Sequence, residues 1–411
     1  MKIYLVGGAV RDQLLGLPIK ERDWVVVGAQ AQEMLALGYR QVGRDFPVFL
    51  HPNTQEEYAL ARTERKSGLG YYGFECNSQA NVTLEEDLLR RDLTINAMAM
   101  DDKGHVIDPY QGQKDIQMKV LRHVSDAFVE DPLRVLRVAR FMARFQALGF
   151  KIAPETQVLM QKMVRTGELN HLVAERVWQE WHQSLLEKNP AAFITTLRAC
   201  GALPILFPEI HALFGVPNGC KQHPEIDTGV HTLMALETAT MLSTDPMIRF
   251  ATLLHDLGKA HTPMQYWPSQ RDHDELGLPI IQALCKRLSI PKRFQQLALM
   301  AAQWHLYIHR LKELSAEKIL EVLEGTHAFR DAKMFEQLLL VCEADFKGRG
   351  RTSDKETNKD YPPMQGWRII LAKSRQLNAS QWVEQGLVGS AIKTALSKAR
   401  LQCIQAIQYG N

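Results

Sequence analysis

The stretch MKIYLVGGAVRDQLLG, at residues 1–16, decides the fold of the first part of this chain. Its apolar run, Ile3–Val6, predicts a strand, and a helical pattern runs from Asp12 to Leu15. Gly7 and Gly8 stand between the two elements. Glycines at a strand-to-helix turn let the backbone come close to a triphosphate, and the helix that follows offers unpaired N–H groups and a positive dipole end. This stretch therefore predicts a phosphate-binding turn.

The stretch ERDWVVVG, at residues 21–28, predicts a second strand that carries two carboxylates at its start. Side chains on a strand alternate between its faces, so Glu21 and Asp23 point the same way. Two carboxylates on one side can hold a pair of divalent cations that clamp a nucleoside triphosphate. An exposed, charge-alternating loop edge is the alternative. A dinucleotide-binding Rossmann site is excluded because the GxGxxG spacing is absent.

Two arginine-rich segments follow, RRDLTINA at residues 90–97 and EDPLRVLRVAR at residues 130–140. The planar fork of arginine suits phosphate oxygens, although a solvated helix face is the alternative for the first segment. Asp131 followed by proline predicts a helix N-cap. A helix N-cap does not explain Arg134, Arg137 and Arg140, which follow at intervals of three residues. An Asp and an Arg that lie one helical turn apart could hydrogen-bond a nucleobase edge.

A different pattern occurs in the second half of the chain, where RFATLLHDLGK, at residues 249–259, ends an apolar helical run with His255 and Asp256. His231 lies upstream of this pair and Asp345 downstream. Imidazole and carboxylate ligands together suit a divalent transition metal or Mg²⁺, with open positions for water and phosphate. These residues therefore predict a metal centre.

The four head segments GGAVRDQLLG, ERDWVVVG, RRDLTINAMA and EDPLRVLRVARF, in this order, resemble the motifs of the bacterial tRNA nucleotidyltransferase and poly(A) polymerase family, a branch of the polymerase-β-like superfamily. The resemblance implies that the nucleotide is held by Gly8, Arg11, Arg91, Arg137 and Arg140, that Mg²⁺ is held by Glu21 and Asp23, and that the base of CTP or ATP is read by Asp131 and Arg134. Members of the family commonly have Asp-x-Asp where this chain has Glu21. Glu57, beside the apolar Tyr58–Leu60 run, is a candidate third carboxylate.

His231, His255, Asp256 and Asp345 resemble the H…HD…D pattern of the HD phosphohydrolase superfamily. That resemblance implies a metal-dependent phosphatase and 2′,3′-cyclic phosphodiesterase, with Ni²⁺ as one candidate metal and His255 and Asp256 as catalytic residues. His273 and His305 are further candidates for a second metal or for phosphate, although the pattern favours a capping or core histidine for each.

The combination of a nucleotidyltransferase-like head with an HD pattern in one chain is similar to that of the multifunctional CCA-adding proteins. It implies the sequential addition of C, C and A to the 3′ end of tRNA from CTP and ATP without a nucleic-acid template. Three alternatives remain open: a bacterial poly(A) polymerase, a phosphohydrolase whose head only senses nucleotides, and a tRNA-binding protein without catalysis. The expected partners are tRNA, CTP and ATP, with no DNA and no membrane, and the expected state is a monomer or a homodimer.

The 411 residues are too many for one ordinary core. The hydrophobic content of 45% and the charged content of 23% are typical of a soluble globular protein, and the net charge of +3 does not by itself demand nucleic acid. The six cysteines are scattered, which favours free thiols in a reducing compartment. No apolar run is long enough for a membrane span, so a cytoplasmic protein is expected.

We predict an α+β fold, in which a polymerase-β-like head with a mixed sheet precedes all-α regions. The predicted boundaries are 1–122 for the nucleotidyltransferase head, 123–222 for a helical neck that recognises the nucleobase and tRNA, 226–348 for the HD domain and 349–411 for a helical tail of unassigned role. A linker is expected around Phe214–Pro224 and a polar loop over Gly348–Pro363.

Overall fold

The computed structural model describes residues 1–42, 48–66, 74–218, 227–349 and 360–409. These residues form two compact units, Met1–Leu206 and Phe207–Asn411. The predicted linker around Phe214–Pro224 and the predicted loop over Gly348–Pro363 lie partly outside the described residues. The four predicted domain boundaries stay predictions.

A mixed sheet of seven strands forms the centre of the first unit. The strands of the chain are β1 Lys2–Val6, β2 Asp23–Val27, β3 Arg40–Val42, β4 Val48–Leu50, β5 Glu57–Leu60, β6 Thr63–Lys66, β7 Phe74–Asn77, β8 Ala99–Met100, β9 Val106–Ile107, β10 Val120–Leu121 and β11 Lys151–Ile152. The sheet order is β3-β4-β5-β2-β1-β8-β9. Only β2 and β5 pair in parallel within this sheet, among the residues that the structure describes.

The two central strands are covered on both faces, which explains their continuous apolar runs. Val6 and Val25 pack with Leu88 on one side of the sheet. Leu5 packs with Val10 on the other side. The two strands predicted at Ile3–Val6 and within residues 21–28 are confirmed as β1 and β2.

Helices form most of the remaining chain. They are α1 Gly8–Leu14, α2 Ala31–Ala36, α3 Leu84–Leu89, α4 Gly112–Met118, α5 Leu133–Phe145, α6 Pro154–Arg165, α7 Ala174–Leu186, α8 Ala191–Ala199, α9 Leu203–Leu206, α10 Pro208–His211, α11 Thr228–Leu242, α12 Pro246–Leu254, α13 His273–Arg287, α14 Lys292–His309, α15 Ala316–Gly325, α16 Ala332–Lys347, α17 Pro362–Arg375, α18 Ser380–Glu384 and α19 Ser390–Tyr409. The predicted α+β class, with a mixed-sheet head before helical regions, is confirmed. Within the described ranges, no helix combines the length and the apolar character that crossing a bilayer requires.

Helix α1 begins earlier than its sequence pattern indicates. Gly7 has a positive φ of 67°. The Arg11 N–H donates to the carbonyl oxygen of Gly7 at 3.1 Å, so the helix starts at Gly8 and not at Asp12. A Cβ atom on Gly7 would also lie 2.8 Å from Arg91 Nη1. The positive φ is what favours glycine at this turn, since the end of the Arg91 side chain could move aside.

The N-cap predicted at Asp131 is present in the structure. Asp131 Oδ1 accepts a hydrogen bond from the Leu133 N–H at 3.0 Å, and Pro132 opens the first turn of α5. Because the side chain of Asp131 is tied to the helix start, α5 presents its arginines in a fixed position relative to this carboxylate.

Candidate active sites of the two units

The nine residues that were predicted to bind the nucleotide or its Mg²⁺ line one open cleft in the first unit, with a volume of about 650 Å³. They are Gly8, Arg11, Glu21, Asp23, Arg91, Asp131, Arg134, Arg137 and Arg140. These residues come from α1, from β2 and the residues just before it, from the turn after α3, and from α5 and the residue that caps it. The fold thus brings the four predicted motifs together.

The two predicted carboxylates meet at the start of β2. Asp23 on β2 lies opposite Val6, the last residue of β1 before the glycine turn. Glu21 lies two residues before Asp23. Partial desolvation raises the pKa of Asp23; Arg91 opposes the shift and the Glu21 carboxylate adds to it. Two acidic groups whose repulsion is relieved by a cation fit a magnesium site.

Glu57 lies next to this pair. It is the parallel-strand neighbour of Asp23 in the register of β2 and β5. It lines a second cavity of about 570 Å³ together with Glu21 and Asp23. Glu57 therefore remains a candidate for the third carboxylate.

Arg11 is buried at the base of the cleft. Its Nε donates to Asp12 Oδ1 at 2.9 Å and its Nη1 donates to Asn96 Oδ1 at 2.5 Å. Its guanidinium carbon lies 5.0 Å from the centre of the Phe145 ring. Burial lowers the pKa of Arg11, and Asp12 opposes this shift. The guanidinium group is therefore held in one orientation before any nucleotide binds.

The arginines of α5 are also held by acidic partners. Arg137 Nε donates to Asp92 Oδ2 at 2.7 Å, and Arg140 Nε donates to Glu180 Oε2 at 2.6 Å. Arg137 Nη1 also lies 3.8 Å from Glu180 Oε1, and both arginines line the cleft.

Arg134 differs from the other arginines of α5 because it binds backbone. Its Nη1 donates to the Ala127 carbonyl at 2.7 Å, and its Nη2 donates to the Arg90 carbonyl at 2.6 Å. Asp131 Oδ2 accepts from Arg176 Nη2 at 3.0 Å. The pair predicted to read the base is thus fixed by three neighbouring segments.

Sequence reasoning gave no role to several residues that line or support this cleft. They are Arg62, Asp92, Asn96, Arg144, Arg176 and Glu180. Asp92 and Asn96 stand inside the quoted RRDLTINA segment. Arg176 and Glu180 lie four residues apart on α7, and that spacing could have indicated a shared helix face.

In the second unit, the predicted HD residues converge from three helices. His231 lies on α11, His255 follows α12 and Asp345 lies on α16. Their ligand atoms all lie within 4.8 Å of one another. Asp345 Oδ1 is 2.8 Å from His231 Nε2 and 3.6 Å from His255 Nε2. These three residues could therefore hold a metal ion.

A second triad adjoins the first and contains the two histidines that the sequence left open. Asp256, His273 and His305 also bring their ligand atoms within 4.8 Å of one another. Asp256 Oδ1 lies 3.4 Å from His273 Nε2 and 3.7 Å from His305 Nε2. The structure therefore places His273 and His305 in the site and not in a separate core.

The histidine tautomers also fit metal binding. The Nδ1 atoms of His255 and His273 each lie 2.7 Å from a backbone carbonyl oxygen, of Thr252 and Gln270 respectively. Such contacts leave Nε2 as the ligand atom. Among the described residues, the buried atoms His255 Nε2 and Asp256 Oδ1 have no hydrogen-bond partner. Each of these two atoms can offer a lone pair, and two buried lone pairs without partners are suited to a cation.

Strong electrostatic coupling accompanies this arrangement. Burial lowers the pKa of His255, but the carboxylates of Asp256 and Asp345 outweigh burial and raise it to about 10. Lys259 Nζ lies 2.7 Å from Asp256 Oδ2. The cavity in front of the triads has a volume of about 780 Å³, and it is also lined by residues without a predicted role, among them His309, Arg349 and Tyr361.

Three family models match this chain. The Poly A polymerase head domain matches residues 3–122, the probable RNA and SrmB-binding site of polymerase A matches residues 149–214, and the HD domain matches residues 228–345. The fold and the two sites thus define a polymerase-type nucleotidyltransferase joined to an HD domain.

Proteins with similar sequences identify the family within this class. The chain is 57% identical to the Multifunctional CCA protein of Legionella pneumophila subsp. pneumophila strain Philadelphia 1, over 99% of this chain and 98% of the relative. It is 53% identical to the Multifunctional CCA protein of Vibrio vulnificus strain YJ016, over 99% of both. The chain belongs to the multifunctional CCA protein family.

Solved structures with the same fold are more distant in sequence. The Bacillus stearothermophilus CCA-adding enzyme in complex with CTP aligns with a TM-score of 0.62 at 23% identity, over 99% of this chain and 89% of that chain. The Thermotoga maritima CCA-adding enzyme complexed with tRNA_CCA aligns with a TM-score of 0.63 at 20% identity, over 98% and 87%. At these identities the similarity concerns the fold.

Proposed function

We propose that this protein adds and repairs the 3′-terminal CCA of tRNA, using CTP and ATP without a nucleic-acid template and releasing pyrophosphate. The observation that carries the proposal is the convergence of Glu21, Asp23 and the predicted arginines in one cleft, in a chain of the multifunctional CCA protein family. Nucleotidyl transfer needs this combination, because the transition state spreads negative charge over phosphate oxygens.

In the proposed reaction, the 3′-hydroxyl oxygen of tRNA bonds to the α-phosphorus of the nucleotide, and the bond from that phosphorus to pyrophosphate breaks. Glu21 and Asp23 hold Mg²⁺, with Glu57 as the candidate third carboxylate. When bound, Mg²⁺ supplies charge that favours deprotonation of the hydroxyl and departure of pyrophosphate. The chain's own contribution is positioning and charge neutralisation.

The other cleft residues bind the nucleotide in this proposal. Gly8, Arg11, Arg91, Arg137 and Arg140 hold the phosphates and the sugar, and Asp131 with Arg134 hydrogen-bonds the base edge of CTP or ATP. Because Asp131 and Arg134 are themselves held by Arg176 and by backbone carbonyls, they present a fixed pattern of donors and acceptors. The helices after α5 contact tRNA by shape and backbone charge, without reading its sequence.

The test is incubation of the purified protein with tRNA lacking its CCA end, with Mg²⁺ and with each nucleotide in turn, followed by sequencing of the products. We expect two cytidines and one adenosine, added in that order, and loss of incorporation in Asp23→Ala. Long tails made from ATP alone would instead identify a poly(A) polymerase. Near-normal incorporation by Asp23→Ala would contradict the site assignment.

We also propose that the second unit is a metal-dependent phosphatase and 2′,3′-cyclic phosphodiesterase. The two adjoining triads favour this activity, because a divalent metal bound by these residues would supply a Lewis acid for phosphoryl oxygens. His231, His255, Asp256 and Asp345 would hold the metal, and His273 and His305 lie beside Asp256. A transition metal such as Ni²⁺ suits the imidazole ligands.

His255→Ala tests this second activity. Hydrolysis of a phosphomonoester and of a 2′,3′-cyclic nucleotide should be lost, while CMP and AMP incorporation should match that of the unmodified protein. Loss of both activities would show that the two sites are not separate. Retention of hydrolysis in His255→Ala would remove His255 from the proposed mechanism. If the unmodified protein hydrolysed these substrates but incorporated no nucleotide, it would be a phosphohydrolase with a nucleotide-sensing head.

A further inference from the structure

The two oxygens of Asp345 have different surroundings. Oδ1 faces the first triad, 2.8 Å from His231 Nε2. Oδ2 faces away from it and accepts hydrogen bonds from His309 Nε2 and Arg349 Nη2, both at 2.7 Å. Among the described residues, Oδ1 therefore contacts only the candidate metal ligands His231 and His255, whereas Oδ2 accepts from two donors outside the first triad.

His309 is in turn held by the segment that follows residue 360. The Tyr361 hydroxyl lies 2.8 Å from His309 Nδ1. An ionised carboxylate can only accept, so His309 Nε2 must carry the proton that it donates to Asp345. A neutral imidazole then has an acceptor at Nδ1, and the Tyr361 hydroxyl is the donor to it.

The packing of α17 fixes Tyr361 in this role. Tyr361 directly precedes α17 and is 7% exposed. Trp367 on the same helix is fully buried, and its Nε1 donates to the Ile308 carbonyl at 3.0 Å, one residue before His309. The hydrogen bond from Trp367 to Ile308 therefore holds α17, which follows Tyr361, next to His309.

We propose that Tyr361 and His309 are positioning residues for the HD metal site, and that the Tyr361–His309–Asp345 chain of hydrogen bonds holds Asp345 as a one-oxygen metal ligand. This gives the C-terminal tail a role in the activity of the second unit. The inference rests on the proposed phosphohydrolase function and extends it beyond the H…HD…D residues. Partners that orient a ligand in this way typically change metal affinity roughly 10- to 100-fold when they are removed.

The test is calorimetric titration of Co²⁺ into the full-length protein with the Asp23→Ala substitution, which removes the proposed metal site of the head. Tyr361→Phe removes only the donor hydroxyl, and we expect it to weaken Co²⁺ binding about tenfold. Tyr307→Phe is the matched control, because Tyr307 lies on α14 with its ring 4.8 Å from Lys318 Nζ. It should leave Co²⁺ affinity unchanged.

A double-mutant cycle shows whether Tyr361 acts through His309. His309→Gln keeps an amide donor for Asp345 that does not need Tyr361, so it should retain affinity and abolish the effect of Tyr361→Phe. A loss from Tyr361→Phe that persists in the His309→Gln background would overturn the proposal, as would equal affinities of Tyr361→Phe and Tyr307→Phe. Co²⁺ binding at this site should be lost in His255→Ala. If His255→Ala left Co²⁺ binding unchanged, the phosphohydrolase proposal would fail as well.

Discussion

Arg176 Nη2 lies 3.0 Å from Asp131 Oδ2, and this contact joins α7 to the residue that caps α5. The other oxygen of Asp131 accepts from the Leu133 N–H. With both oxygens engaged, the carboxylate has one orientation toward the cleft. A residue that discriminates between bases must keep its acceptors in place, because a mobile carboxylate can accommodate the wrong edge.

Arg176→Ala should therefore reduce base selection more than it reduces turnover. We expect incorporation of UMP or GMP, relative to CMP and AMP, to rise about tenfold, which corresponds to the loss of about 1.4 kcal/mol of discrimination for one charged hydrogen bond. Single-nucleotide incorporation into truncated tRNA measures this ratio. Arg165→Ala, an exposed arginine on α6, is the control and should not change it. Unchanged selection in Arg176→Ala would separate this contact from base reading.

The Asp92–Arg137 ion pair predicts a dependence of head stability on pH. Burial would raise the pKa of Asp92, but Arg137 and the Asn96 amide outweigh burial and hold it below its usual range. The pair therefore stabilises the fold above the unfolded pKa of about 3.9, and this contribution is lost as the pH falls toward the lowered folded pKa. Its size should be about 1 to 2 kcal/mol, because Arg137 is partly exposed to water.

Hydrogen exchange of the amides in β1 and β2 measures this effect. At pH 5, Asp92→Asn should lower protection relative to the unmodified chain, and the difference should shrink as the pH falls to 3. The exposed carboxylate Asp102 offers the control, since Asp102→Asn should change protection little at either pH. A difference that grew on acidification would have the wrong sign for this ion pair.

Features with a local signal could be predicted from the sequence, and features formed by distant contacts could not. The strands β1 and β2, the Asp131 cap and the four head motifs are each encoded within a few adjacent residues. Arg176 meets Asp131 across 45 residues, and Tyr361 meets His309 across 52. No periodicity or spacing in the sequence indicates such contacts, because they depend on how separate helices pack.

The two histidines of the second triad illustrate the same limit. His273 begins α13 and His305 lies within α14, and each position is also typical of an ordinary capping or core histidine. Only the packing of α13 against α14 brings their Nε2 atoms to 3.3 Å from each other, beside Asp256. Their association is a tertiary property, so local reasoning favoured the less specific interpretation.

Glu21 leads to a prediction about side-chain length at the head site. Glu21→Asp restores the Asp-x-Asp pattern that is common in the resembling family and keeps the charge, so CMP incorporation should stay within about tenfold of the unmodified protein. Glu21→Gln keeps the length but removes the charge that a cation requires, and it should lower incorporation by at least 100-fold. Rates of CMP incorporation measured over a range of Mg²⁺ concentrations distinguish Glu21→Asp from Glu21→Gln. Equal activity of Glu21→Gln and the unmodified chain would exclude Glu21 as a metal ligand.

Gly258 leads to a prediction about the second site, because it packs against the residue that begins α13. A Cβ atom on Gly258 would lie 1.9 Å from the His273 carbonyl oxygen and 2.7 Å from the Gly277 backbone nitrogen, so α13 would have to move. Overpacking of this kind typically costs roughly 1–3 kcal/mol or more. Because His273 Nε2 lies 3.4 Å from Asp256 Oδ1, movement of α13 should disturb this contact, and Gly258→Ala should lower phosphomonoester hydrolysis at least tenfold.

The matched control for this substitution is on the facing helix. Gly277→Ala would place its Cβ atom 3.3 Å from the Gly258 backbone nitrogen, a distance that small adjustments relieve. We therefore expect a smaller loss of hydrolysis from Gly277→Ala than from Gly258→Ala, with CMP incorporation by the head unchanged in both. Equal hydrolysis by the two variants would mean that the separation of His273 from Asp256 does not limit the reaction, and the second triad would then lose its proposed role in catalysis.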